Sequence, residues 1–224
     1  MSAWIAFFDF DGTITSEETF FGSMQLLNPK TLKTLHPQFL AGQVTLRNGV
    51  NQIFSEVPSE RLEMIERYIT KVPLRVGFRE LLIYLQCQNI PAVVISGGIM
   101  QLVDTALAPF RNLITDVYSV HLNVSGEYMR LVSEYDDGVD LMAKQLVMDR
   151  YSFENAICIG DGITDLKMAK RSNLIFARDE LERSCKREHI PYTIWNDFYD
   201  VLESLKKHGL TNSDANCGAL AGGE

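Results

Sequence analysis

The sequence predicts an α/β protein built on a mostly parallel sheet, and three observations lead there. Short apolar runs recur at residues 5–8, 90–95, 155–159 and 174–177, and each is closed by a polar or glycine-bearing turn. Amphipathic helical stretches separate them, the alternation that lays parallel strands under covering helices. At 224 residues the chain has room for one such core and a modest insertion.

Composition narrows the functions available. A formal charge of −8 argues against a general nucleic-acid binder. No apolar run is long enough to span a membrane, and the first apolar stretch is too short, with no basic segment before it, for a secretory signal. Cys87, Cys158, Cys185 and Cys217 are scattered and form no CxxC pair. A reduced, cytoplasmic protein is the expectation.

Residues 5–8, rich in aromatics, read as a buried strand. Asp9 and Asp11 follow where it stops, at i and i+2, so both carboxylates face one spot. Gly12 then lets the backbone turn sharply. Two acids this close at a buried strand end need a positive partner. A divalent cation serves, and Mg²⁺ suits carboxylate, carbonyl and water oxygens.

Residues 16–72 carry helical signals and little strand. Glu17-Glu18 after Ser16 predict an N-cap and first turn; Phe20, Phe21, Met24 and Leu27 recur at helical spacing, and Asn28-Pro29 ends the helix. Helices are predicted over 31–40, with Pro37 inside, over 45–54, and from 58 onward with Leu62, Ile65 and Ile69 inward. Four helices between the first two strands predict a helical cap over 16–72, lying above strand ends where open α/β sheets bind ligands.

An amphipathic helix over 77–88 leads to the strand over 90–95, then Ser96-Gly97-Gly98 and a helix over 100–107. A serine at a strand end and the N–H groups of the glycines after it offer hydrogen bonds to a phosphate. Residues 116–124 and 127–132 alternate about Ser125-Gly126 and predict a hairpin over 116–132 beside the main sheet. His121 lies on its more polar face and, like His36, His189 and His208, shows no ligand spacing. Asp137-Gly138 marks a turn before a helix predicted over 139–148. The strand over 155–159 ends in Gly160-Asp161-Gly162-Ile163-Thr164-Asp165, again an apolar run closed by a carboxylate beside glycine, with a second carboxylate four residues on. A strand over 174–177, a helix over 180–188, a short strand at 192–194 and a helix over 197–207 complete a core of 1–15 and 73–210. Residues 211–224, rich in Gly, Ala, Asn and Ser, predict a disordered tail.

The Asp9-Phe10-Asp11-Gly12-Thr13 run, Ser96 after the second strand and the acidic 160–165 run, in that order, resemble the signature motifs of the haloacid-dehalogenase (HAD) superfamily. The resemblance covers nearly the whole chain. It implies a Rossmann-like sheet flanked by helices and a Mg²⁺-dependent phosphomonoester hydrolase. By it, Asp9 is the nucleophile that takes up phosphate and Asp11 the general acid and base. Ser96 and the N–H of Gly97 hold phosphate oxygens, and Asp9, the Asp11 carbonyl and Asp161 hold Mg²⁺, with Asp165 close by. The superfamily also has a lysine at the start of the helix before the last acidic strand. Leu141 stands near the expected place; Lys144, one turn further on, is the nearest substitute as a phosphate-binding lysine, and Arg178 is a further cation that would compensate.

The 75–80 entry to the fifth helix, the 94–98 run and Phe176-Ala177-Arg178-Asp179 resemble the methionine-salvage phosphatase branch, a close cousin of phosphoserine phosphatase. That resemblance implies a small phosphorylated metabolite with an apolar methylthio end, met by Glu18, Phe21 and Arg47. From charge and hydropathy no nucleic-acid or membrane partner is expected, and a homodimer is left open. Arg47 keeps phosphoserine as an alternative substrate. The reading from another class is a HAD-fold binding or regulatory protein with little turnover, drawn from the displaced lysine.

Overall fold

The strand β1 (Ser2–Phe8) buries Ile5, Ala6, Phe7 and Phe8 in succession, as a strand covered on both faces must. The others are β2 (Ala92–Ile99), β3 (Asp116–Asn123), β4 (Arg130–Val132), β5 (Phe153–Gly160), β6 (Leu174–Ala177) and β7 (Thr193–Ile194). In the computed structural model, which describes residues 2–210, they form a seven-stranded sheet of order β4-β3-β2-β1-β5-β6-β7. Every neighbouring pair is parallel except β3 and β4. Phe8 lies level with Val94 of β2 and Ile159 of β5, so β1 and β5 end together, with β2 running on beside them to Ile99, at the point where the strand order turns outward in both directions. That crevice is where such sheets bind ligands.

Between β1 and the rest run α1 (Thr19–Leu27), α2 (Pro29–Leu40), α3 (Leu46–Ser55) and α4 (Leu62–Ile69). Asn28 ends α1 and caps α2, accepting the Thr31 N–H, with Pro29 at the first helical position. The chain leaves the core at Thr15 and returns at Leu74, and these two residues pair as an antiparallel bridge. The remaining helices are α5 (Phe78–Cys87), α6 (Met100–Leu107), α7 (Lys144–Met148), α8 (Leu166–Ala169), α9 (Asp179–Arg187) and α10 (Phe198–His208). No helix among the described residues is long and apolar enough to cross a membrane.

Four expectations need correction. The 116–132 segment forms the expected hairpin, β3 antiparallel to β4, but within the main sheet rather than beside it: β3 is a full member, parallel to β2. Its return strand begins only at Arg130 because residues 127–129 bond elsewhere. Glu127 accepts the Ser59 N–H, and the Met129 N–H donates to the Val57 carbonyl, tying the inserted helices to the core. Ser96-Gly97-Gly98 is not a turn after β2 but its last stretch, with a register break between Ile95 and Ile99. Glu17 and Glu18 stand ahead of α1 rather than in its first turn. The helix predicted over 139–148 starts at Lys144, because Asp137 accepts the N–H groups of Val139 and Asp140 and holds that stretch as a turn. Lys144 is therefore the first helical residue. The expected tail over 211–224 lies outside the described residues.

Beneath the strand ends, Phe78 packs edge-on to Phe8 and Phe110 and tilted against Phe198, with centroids 5.1–5.9 Å apart. It is buried, so Phe78→Ala will lower the unfolding free energy by about 3–5 kcal/mol, read by urea denaturation. A loss under 1 kcal/mol would show that this cluster does not support the sheet.

Candidate active site

The ends of β1 and β5 bring three carboxylates together. Asp9 follows β1 and donates its N–H to the Ile159 carbonyl at 2.9 Å, while Asp161 and Asp165 follow β5. One carboxylate oxygen from each lies within 4.8 Å of the others, and all three residues are buried. Lys144, only 1% exposed, donates from Nζ to Asp9 Oδ1 and to Asp165 Oδ1. Burial pulls the lysine toward its neutral form, but Asp165 and Asp9 outweigh it and hold the ammonium above the ordinary lysine range.

Asp165 turns its second oxygen to the N–H groups of Asp161 (3.1 Å) and Gly162 (2.9 Å). Asp161 accepts the Thr13 hydroxyl at 2.9 Å. Burial, then the charges of Asp9, Asp165 and Glu18, push its carboxyl well above the usual carboxylate range. One lysine does not balance this much negative charge. The donors are hard oxygens, which fits a divalent cation such as Mg²⁺. With both oxygens of Asp165 engaged, the open ligand positions fall to Asp9 and Asp161.

Asp11 joins this cluster to the inserted helices. Its Oδ1 accepts the Thr19 hydroxyl and the Phe20 N–H (3.0 Å), capping α1 in place of Glu18, which makes no cap bond. The Ser96 hydroxyl donates to its Oδ2 at 3.3 Å and accepts the Gly98 N–H at 2.9 Å. Burial raises the Asp11 pKa against the pull of Thr19 and Phe20, a shift that suits a proton carrier. Gly98 is required for space: a Cβ there would stand 2.5 Å from Asp11 Oδ2, whereas Gly97 faces open space. Arg75 holds the motif loop from behind, donating to the Gly12 and Thr13 carbonyls at 2.6 and 3.0 Å while its guanidinium lies over Trp195.

A cavity of about 320 Å³ opens onto Asp9, Asp11, Glu18, Arg47, Gly97, Lys144 and Asp161. Ser96 and Asp165 are buried behind it. Phe21 does not line this cavity: it is 42% exposed and its ring meets His36 edge-on. Phe20 lines it instead, stacked on Phe54 at 5.9 Å. Arg178 is also absent from its wall and pairs with Asp179. The sequence alone assigns no role to Thr13, Thr19, Arg75 or Asp136, and gives Gly98 only a backbone N–H for phosphate. Thr13 and Gly98 sit inside the motifs quoted and Arg75 in the 75–80 run; nothing local marks Thr19, whose partner is Asp11, or Asp136, whose partner Arg47 is distant in the chain.

A family model for haloacid dehalogenase-like hydrolases matches residues 6–170. A 2-hydroxy-3-keto-5-methylthiopentenyl-1-phosphate phosphatase from Microcystis aeruginosa is 39% identical over 203 residues, covering 90% of this chain and 97% of its own. One from Bacillus cytotoxicus is 31% identical over 211 residues, covering 89% and 94%. A substrate-bound phosphoserine phosphatase aligns with a TM-score of 0.65 and a phospho-aspartyl intermediate analogue of phosphoserine phosphatase with 0.63. Both are 18% identical and cover 89% of this chain and 97% of theirs, a likeness of fold.

Glu18 gives the site a pH signature. Although the residue as a whole is exposed, desolvation of its carboxylate, then the charges of Asp11, Asp9 and Asp165, push its pKa from 4.5 to about 8. Between those values the folded state holds a proton that the unfolded chain has released, so stability falls as pH rises through this window. In EDTA, the melting temperature will drop from pH 5 to pH 8.5, and Glu18→Gln will flatten the drop. Parallel curves for the two proteins would reject the assignment.

Proposed function

The chain belongs to the haloacid dehalogenase-like hydrolases and is a phosphatase among them, and from that premise we propose that its substrate is 2-hydroxy-3-keto-5-methylthiopentenyl-1-phosphate. The relatives that cover nearly the whole chain support this substrate. The observation that carries the mechanism is Lys144 seated between Asp9 and Asp165.

In this reading Lys144 fixes Asp9 Oδ1, leaving the other oxygen to attack phosphorus in line. The bond from phosphorus to the leaving oxygen breaks as Asp11 gives that oxygen its proton. Asp11 then takes a proton from water, the water oxygen attacks phosphorus, and the bond to Asp9 breaks to release orthophosphate. The Ser96 hydroxyl and Gly97 N–H hold the phosphoryl oxygens as charge shifts among them. Mg²⁺ held by Asp9, Asp161 and the Asp11 carbonyl, with Asp165 alongside, would offset the phosphate charge that repels the nucleophile.

The binding-module reading drew on a lysine displaced from position 141. With Lys144 opening α7 and its Nζ on Asp9, that reading loses its basis.

A phosphate-release assay tests the proposal, with Mg²⁺ or with EDTA, on the methylthiopentenyl phosphate, phosphoserine and sugar phosphates. The expected result is a clear preference for the first, abolished by EDTA; preference for phosphoserine would overturn the substrate, and no release at all the function. Asp9→Asn will abolish turnover with an unchanged circular dichroism spectrum. Lys144→Ala will lower kcat about 100-fold or more, where a solvated lysine would move it hardly at all.

A further inference from the structure

The cavity wall carries two cations, Arg47 and Lys144, and the chain already engages both. Lys144 is taken by Asp9 and Asp165. Arg47 reaches from α3 to Asp136: Nε lies 2.8 and 2.9 Å from the two carboxylate oxygens and Nη2 lies 2.8 Å from Oδ2. Its Nη1 lies 3.4 Å from Asn48 Oδ1. Asp136 is itself held by the Gly138 N–H at 2.8 Å, in a turn where Gly138 has φ +86°, so this carboxylate is built into the loop.

The rest of the outer wall has two characters. Leu46, Val50, Val139, Met142 and Ile163 are apolar, and Glu18, Asp140 and Glu180 are acids. A ligand carboxylate finds no free cation there. To take Arg47 it must displace a fork-shaped ion pair and leave Asp136 unpaired beside a second negative charge. An uncharged tail meets the apolar wall and disturbs nothing.

We propose that Asp136 is a specificity-determining residue: by occupying the Arg47 guanidinium with the chain's own carboxylate, it closes the site to phosphate esters with a carboxylate tail and keeps it for those with an uncharged, apolar one. The inference rests on the phosphatase reading for the phosphate end alone. It turns Arg47, the residue that favoured phosphoserine, into an argument against it.

The test is calorimetric binding in Mg²⁺ of L-phosphoserine and n-butyl phosphate to the full chain carrying Asp9→Asn, which removes turnover. Butyl phosphate should bind about tenfold more tightly or better. Adding Asp136→Asn should shift the ratio of dissociation constants at least tenfold toward phosphoserine, the scale of one hydrogen-bonded ion pair. Adding Arg47→Ala should cancel the shift. Asp136→Ala, carried in parallel, reads the same way if the asparagine variant is unstable. Equal affinity in the Asp136 parent, a ratio unmoved by either substitution, a gain that survives loss of Arg47, or binding of neither ligand would overturn the proposal. Hydrolysis of 4-nitrophenyl phosphate by the unsubstituted protein reports on the phosphatase reading separately. Intact hydrolysis with an unmoved ratio sinks only the specificity role.

Discussion

The ion pair of Lys144 with Asp9 and Asp165 is the contact on which the arrangement around it depends. Carboxylates at the ends of neighbouring strands repel, and burial strengthens the repulsion. A single ammonium between two of them makes the cluster tolerable, and backbone N–H groups and hydroxyls carry the rest. Asp165 takes two N–H groups, Asp161 the Thr13 hydroxyl, and Asp11 a hydroxyl and an N–H from the start of α1. What remains unbalanced lies on Asp9 and Asp161, both of which face the cavity. The geometry thus leaves its surplus of negative charge where a metal ion and a phosphoryl group would meet.

The inserted helices are coupled to this cluster at several places. Asp11 serves the site and also caps α1. Arg47 of α3 reaches Asp136 in the loop that leads into Lys144. Residues 57–59 bond to 127–129 in the connection after β3. The stretch 136–144 therefore carries two contacts, one ending at Arg47 of the insertion and one at Asp9 beneath the cavity.

Much of this was legible in the sequence where the signal is local. The apolar runs that became β1, β5 and β6 are buried over most of their length, and such strands announce themselves by composition. Asp9, Asp11 and Asp161 were readable because strand ends rich in glycine and carboxylate are unusual. Legibility failed where a distant partner decides the local structure. The 139–148 segment has helical composition, yet Asp137 captures two N–H groups and delays the helix to Lys144; that delay made the lysine look displaced. The hairpin at 116–132 looked self-contained because its parallel partner, β2, lies outside the local window. Phe21 fitted the helical stripe as well as Phe20 did, and a shift of one residue, a rotation of roughly 100°, decided which ring faces the cavity.

The central position of β1 has a consequence for how the molecule is made. Its one edge pairs with β2, but its other edge pairs with β5, Ser2 lying beside Phe153. During synthesis this apolar strand emerges before the other six and waits for some 150 residues before that second edge is covered. Contacts so far apart in sequence make folding slow, and an uncovered apolar edge is a template for pairing with another chain. The strand that leads into Asp9 is thus also the segment most exposed to misassembly in the nascent protein, and the demand for rapid folding falls hardest on β5 and the acidic turn behind it.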